Sequence, residues 1–81
     1  KYLKYSTAKP LAGVHSGFPM RILELDQTAS GQWRYRILDI FDGETRIRVD
    51  WEWGTRSEQE TENQARNRFG SYDKKVVLDW I

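Results

Sequence analysis

The chain has 81 residues, of which 13 are basic and 12 are acidic, so its formal net charge at pH 7 is +1. This length suits one domain with one small hydrophobic core. The near-neutral balance differs from the strongly basic composition that is typical of nucleic-acid-binding proteins. The absence of cysteine excludes disulfides and thiolate metal sites. No stretch approaches the roughly 18 apolar residues of a membrane span, so no membrane contact is predicted.

The amino-terminal segment, residues 1–17, is predicted to be a loosely held basic arm. Its cations precede the first acidic residue of the chain and are Lys1, Lys4 and Lys9. The segment also contains the single histidine, His15, which has no acidic neighbour within eight residues. A metal site needs three or four ligands. We therefore interpret His15 as a surface-loop residue and predict no metal site.

The remainder, residues 18–81, is predicted to be a single β-β-β-α-β domain. A first strand is expected over residues 18–26. Met20 and Ile22 alternate onto one of its faces, while Leu23 and Leu25 lie largely on the other. This pattern indicates that both faces of the strand are covered.

Residues 32–53 alternate on both sides of Asp42-Gly43, which predicts a β-hairpin. An aromatic face is expected to contain Trp33, Tyr35, Ile37, Ile47, Val49, Trp51 and Trp53. A charged face is expected to contain Arg34, Arg36, Arg46, Arg48, Asp50 and Glu52.

The register of this hairpin depends on its loop. Asp-Gly by itself favours a two-residue type I′ turn, but that turn would oppose Tyr35 with Asp50 and mix the two faces. A three-residue loop over residues 41–43, with a left-handed glycine and a G1 bulge, keeps both faces consistent. We therefore expect the three-residue loop, which places Arg36 opposite Arg48.

Ser57 and Glu60 have capping-box spacing, which predicts a helix over residues 58–69 with Gly70 as its left-handed stop. Its thin apolar stripe consists of Thr61, Ala65 and Phe69, and the residues expected on its exposed side are Glu58, Glu62 and Arg66. Residues 75–81 then alternate as a final strand that joins the sheet or a partner. The predicted fold class is α+β: an antiparallel three-stranded meander packed by one helix, with a C-terminal strand.

No catalytic motif is present, whether a nucleophile elbow, a phosphate loop or a dinucleotide fingerprint. The closely spaced carboxylates Asp50 and Glu52 face Arg34 in the expected register, so we interpret them as part of a solvated charged face. The sequence therefore predicts a protein that is not an enzyme and needs no cofactor.

Four arginines share the predicted charged face, namely Arg34, Arg36, Arg46 and Arg48. Alternate strand residues lie about 6.5 to 7 Å apart, a spacing that suits contacts along a phosphate backbone. The alternative is a salt-bridged surface in which nearby carboxylates pair with these arginines. The expected contact between Arg36 and Arg48 is destabilising unless an anion or an acidic neighbour relieves it. The first alternative favours nucleic acid as the ligand.

The aromatic side chains are either core or contact residues. Tyr35 and Trp51 are expected in the core because a small domain must bury large side chains. Trp33, Trp53 and Trp80 are the candidates for an exposed aromatic contact. Such a contact would favour another protein as the partner.

Three motifs carry a resemblance to a known family: the run from Gly31 to Ile37 (GQWRYRI), then Asp42-Gly43, then the run from Gly54 to Glu58 (GTRSE) before the helix. Over about half of the chain they resemble the arm-binding domains at the amino terminus of phage and transposon tyrosine recombinases. The resemblance implies a three-stranded sheet inserted into the DNA major groove. We expect a small binding module for nucleic acid or, as the alternative, for another protein.

Overall fold

The computed structural model describes residues 3–4 and 19–80, with the backbone alone described for residues 3–4 and 79–80. The elements in chain order are β1 (Leu3–Lys4), β2 (Met20–Gln27), β3 (Trp33–Phe41), β4 (Glu44–Trp53), α1 (Glu58–Phe69), β5 (Lys74–Val77) and β6 (Asp79–Trp80). Apart from β1, the predicted arm lies outside the described residues, and so does His15.

The main sheet has four strands in the order β4-β3-β2-β5. Strands β2, β3 and β4 form the predicted antiparallel meander, and α1 packs against it. This confirms the α+β class. The C-terminal strand joins the sheet: β5 pairs with β2 in parallel, which is possible because α1 and its loops provide the long connection that parallel pairing requires. Strand β6 pairs separately with β1.

Both faces of the sheet carry hydrophobic clusters. We call the side covered by α1 the helix face, and its buried cluster contains Leu23, Leu25, Tyr35, Ile37 and Ala65. We call the other side the second face, and its buried cluster contains Met20, Ile22, Leu38, Val76 and Leu78. The alternation along β2 therefore separates its apolar residues as predicted, and both sets are buried.

The N-cap of α1 is confirmed, because the Ser57 hydroxyl accepts a hydrogen bond of 3.2 Å from the Glu60 amide. The predicted stop needs one correction. Gly70 has a positive φ of 91°, but its ψ of −169° is extended rather than left-handed helical. Its N–H still donates to the Arg66 carbonyl, so the final turn of the helix is closed.

The apolar stripe of α1 is also confirmed: Thr61 and Ala65 are buried, and Phe69 packs against the helix-face cluster. Gly54 lets the helix approach the end of β4, since a Cβ atom there would lie 2.3 Å from Thr61 Cγ2. The Thr61 hydroxyl in turn accepts a hydrogen bond of 2.9 Å from the Thr55 amide. The start of the helix is thus fastened to the end of the hairpin.

The predicted exposure of Glu62 is wrong, because this carboxylate is buried. The Tyr72 hydroxyl donates to Glu62 Oε2, and so does Arg66 Nη2 at 3.1 Å. Lys75 Nζ donates to Oε1, also at 3.1 Å. Two of these donors come from residues beyond the helix, so a helical period alone does not predict them.

The predicted three-residue hairpin loop is wrong. Phe41 pairs with Glu44, which leaves only Asp42 and Gly43 in the turn. Both have positive φ angles, 53° and 76° respectively, as a type I′ turn requires. This is the alternative that the sequence analysis rejected because it mixes the two faces.

Two irregularities in the pairing of β3 with β4 keep some residues of the predicted aromatic face opposite one another, as with Ile37 and Val49. The register shifts between the pairs Leu38–Ile47 and Ile37–Val49, and shifts again before Tyr35–Glu52. At each shift β4 contains one residue more than β3, as in a β-bulge. An extra residue exchanges the faces beyond it. The two-residue turn places Ile47 on the second face, and the first shift places Val49 on the helix face. The second shift returns Trp51 and Trp53 to the second face, with Glu52 on the helix face.

Candidate functional site

The four predicted arginines do not share one face. Arg34 and Arg36 lie on the second face, cross-strand from residues of β2 on that face. Arg46 lies opposite Asp39 in the strand register and therefore on the helix face. Arg48 lies at the first register shift. The expectation of one charged face is therefore wrong, because it assumed a three-residue loop, whereas the two-residue turn places Arg46 on the face opposite to Arg34 and Arg36.

The ion-pair partners of Arg34 and Arg36 come from β2. Arg34 Nε donates to Asp26 Oδ2 at 2.8 Å, and Arg36 Nε donates to Glu24 Oε1. Both carboxylates are buried, with 1% of Asp26 and 0% of Glu24 exposed. The expected pairing of Arg34 with Asp50 is wrong, and so is the expected contact between Arg36 and Arg48.

Trp51 lies against both guanidinium groups. Its ring centroid is 4.3 Å from Arg34 Cζ and 4.7 Å from Arg36 Cζ, within the range of cation–π attraction. We call the set of Glu24, Asp26, Arg34, Arg36 and Trp51 the Arg–Trp platform. The sequence assigned Trp51 to the aromatic core face, so neither its half-buried position nor its contact with the arginines was predicted.

The buried end of this platform has unusual electrostatics. Burial raises the pKa of Glu24, and the hydrogen bond from Arg36 offsets part of that effect. Glu24 Oε2 has no hydrogen-bond partner among the described residues. The platform therefore contains a carboxylate whose charge depends on one guanidinium.

The predicted aromatic contact residues have different environments. Trp53 is 58% exposed and lies on the second face, opposite Arg34. Trp33 is half-buried and packs against the helix-face cluster. The side chain of Trp80 lies outside the described part of the chain. Of the two whose side chains the structure describes, Trp53 provides the exposed ring.

Two arginines near the hairpin pair with no carboxylate in the described residues: Arg48 and Arg56. Arg48 is exposed on the outer strand of the sheet. Arg56 Nη1 donates to the Ser30 carbonyl at 2.7 Å, which holds it at the end of the sheet where β4 finishes. Arg56 was not identified from the sequence because it lies in a loop outside the alternating pattern.

A second feature lies beside α1, on the helix face. An open groove of about 420 Å³ is lined by Thr55, Glu60, Asn63, Gln64, Asn67 and Arg68. The buried Tyr35 hydroxyl forms no hydrogen bond with a described residue. Burial raises its pKa, and the Arg68 charge lowers it in part. The groove is polar but contains no arrangement that indicates a reaction.

Within residues 3–4 and 19–80, no group of three or more metal-ligating side chains is suited to hold a metal ion. No helix in that part of the chain is long and apolar enough to cross a membrane. Comparison with protein-family models, curated proteins and solved structures gives no match.

Proposed function

We propose that this protein is a small non-enzymatic module that binds nucleic acid through the β3–β4 hairpin. The observation that carries the proposal is the Arg–Trp platform beside the exposed ring of Trp53. Oriented guanidinium groups bind phosphates and base edges, and aromatic rings stack on bases. The two kinds of contact occur on one face of one hairpin.

The ion pairs of the platform affect both the strength and the geometry of such binding. Asp26 and Glu24 neutralise much of the charge of Arg34 and Arg36, so these two arginines contribute less to long-range attraction than free cations would. The same carboxylates hold the guanidiniums in place, which lowers the entropy that a ligand contact must overcome. Together with the net charge of +1, this favours weak, salt-sensitive binding.

Arg46 and Arg48 provide the more accessible charges of the hairpin. Both lie on β4, the outer strand of the sheet, and therefore border the second face at its edge, although Arg46 belongs to the helix face. Arg48 has no carboxylate partner in the described residues, and Arg46 pairs only with the exposed Glu44. Such an exposed pair exchanges readily with a phosphate because it contributes under about 1 kcal/mol. The resemblance to recombinase arm-binding domains favours the same assignment, since it implies that strand arginines contact DNA.

The test is a titration of a fluorescently labelled DNA duplex at low ionic strength, repeated over a series of salt concentrations. The double variant Arg46→Gln/Arg48→Gln should bind more weakly and reduce the salt slope by up to about two, as expected for two lost phosphate contacts. Both side chains are exposed, so the variant should remain folded.

The matched control removes the same charge elsewhere, through Arg68→Gln/Lys74→Gln. Neither side chain forms an ion pair with a described carboxylate, and neither belongs to the hairpin. Loss of binding in the hairpin variant but not in the control supports the proposal. Equal losses in the two variants would contradict it, and so would the absence of binding to both duplex and single-stranded DNA at low salt.

A second candidate function is binding to another protein. It is favoured by the exposed apolar side chains on the second face of the hairpin, since Ile47 is 55% exposed and Trp53 is 58% exposed. Exposed apolar groups of this kind commonly mark contact surfaces when they form a patch. Salt distinguishes the two candidates, because an apolar interface weakens little as ionic strength rises.

A further inference from the structure

We infer that the hairpin selects single-stranded nucleic acid, with one base stacked on Trp53 at the end of the Arg–Trp platform. The inference rests on the proposed function and specifies the form of the nucleic acid and the residue that recognises it.

The ring of Trp53 is accessible to a ligand. Trp53 is 58% exposed, the largest value among the exposed large apolar side chains of the described residues. Phe41, the other exposed aromatic residue of the hairpin, lies at its tip on the helix face. Trp53 therefore provides the accessible aromatic surface beside the arginines.

Hydrogen bonds hold the backbone that carries the Trp53 ring. The Trp53 carbonyl accepts a hydrogen bond of 3.1 Å from Gln64 Nε2 of the helix. The next residue, Gly54, donates from its amide to the Trp33 carbonyl at 2.8 Å. The backbone that carries the ring is thus held by both the helix and the neighbouring strand, so a stacked base would meet a fixed platform.

Arginine side chains and the Trp51 ring lie near Trp53. Arg34 is the cross-strand neighbour of Trp53, and its guanidinium lies against Trp51. Arg36 continues the row, so planar groups follow one another along the second face. Arg56, without a described carboxylate partner, lies at the same end of the sheet as Trp53. Planar groups interleaved with cations match the alternation of bases and phosphates in a single strand.

Duplex DNA cannot use this arrangement in the same way. In a duplex, each base is stacked between its neighbours, so its flat surface is inaccessible to a side chain. A single strand exposes these surfaces, and stacking on an aromatic ring accepts any base. Unequal binding of the two forms is therefore the distinctive consequence of an exposed Trp53.

The experiment compares a labelled single-stranded oligonucleotide with a duplex of the same length at one salt concentration. The unaltered protein should bind the single strand more tightly. Trp53→Ala should lower the single-strand affinity by about fivefold or more, which is the effect of one lost stacked base. Its effect on the duplex should be small. Trp53→Phe keeps an aromatic ring and should retain most of the single-strand affinity.

Phe41→Ala is the matched control, because it removes an exposed aromatic ring of the same hairpin from the other face. The inference is overturned if the duplex binds as tightly as the single strand, or if Trp53→Ala behaves like the control. In both cases, the proposed function is still supported if binding depends on salt and requires Arg46 and Arg48. Absence of binding to either form overturns both proposals.

Discussion

The two buried glutamates of this protein show how local donors determine the behaviour of a carboxylate. Burial raises the pKa of Glu24, and its one described donor, Arg36, offsets this only in part. The pKa of Glu62 is instead lowered, chiefly because the Tyr72 hydroxyl donates to it, with further support from Lys75. The two pKa values therefore shift in opposite directions, because burial dominates at Glu24 and hydrogen bonds to the charged form dominate at Glu62.

A pH-dependent contribution to stability follows from the lowered pKa of Glu62. The carboxylate should stabilise the folded protein above the ordinary glutamate pKa of about 4.3. This contribution should be lost as the pH falls through the folded pKa, since the unfolded chain then binds the proton more readily. In Glu62→Gln, the free energy of unfolding should consequently depend less on pH in this acidic range.

Urea denaturation from about pH 3 to pH 7 measures the effect. Glu60→Gln is the control, because Glu60 is an exposed glutamate of the same helix. Glu24 is present in every variant, so its opposite contribution cancels in the comparison. Identical pH profiles for Glu62→Gln and the control would show that the donors around Glu62 do not favour its charged form.

At the scale of the element, α1 depends on its ends as much as on its apolar stripe. Thr61 and Ala65 are its buried small residues, so the helix contributes little apolar area to the core. Its first turn is held by the Ser57 cap and by the contact of Thr61 with Gly54. A helix with a narrow buried seam should be sensitive to the loss of one cap.

Ser57→Ala should lower the free energy of unfolding by about 1 kcal/mol, because the Glu60 amide loses its acceptor. Thermal melts should show a lower midpoint than those of Ser71→Ala, in which the altered serine is exposed and lies outside the helix. Equal midpoints would mean that another group holds the first turn. Thr55 is the nearest candidate, because its hydroxyl accepts a hydrogen bond of 3.0 Å from the Ser57 amide.

At the scale of the whole molecule, one sheet separates two hydrophobic clusters, and the second face also contains buried charge. Next to its apolar cluster, this face carries the Arg–Trp platform with two buried carboxylates. Such pairs add little net stability when intact, but loss of one partner leaves a buried charge uncompensated. The platform is therefore part of the structure as well as a candidate binding surface.

Arg36→Gln should destabilise the protein by about 3 to 5 kcal/mol, because Glu24 loses its described donor. This is a large fraction of the roughly 5 to 15 kcal/mol typical of a folded domain. Arg46→Gln should cost under about 1 kcal/mol, since the side chains of its pair are 73% and 64% exposed. Urea midpoints measure both changes. Similar losses of stability in the two variants would mean that an unpaired Glu24 carboxylate costs no more than an unpaired carboxylate on the surface.

The sequence by itself determined the helix and the three strands of the meander, whereas it predicted one C-terminal strand where the structure has β5 and β6. Alternation along β2 indicated two covered faces, and the Ser57 box gave the start of α1 because capping depends on neighbouring residues. The meander followed from short connections between strands. These features arise from interactions close along the chain, so periodicity and turn residues suffice to predict them.

Only the tertiary structure decided which residues meet. The two-residue turn placed Trp51 on the face of Arg34 and Arg36, because the second register shift in β4 reverses the exchange of faces that the first one makes. Alternation alone predicts neither the turn nor an extra residue in a strand. The parallel placement of β5 and the buried ion pairs with β2 depend on contacts between distant parts of the chain. The candidate site was therefore predictable as an arginine-bearing hairpin. Its platform was not, because the platform exists only in the folded register.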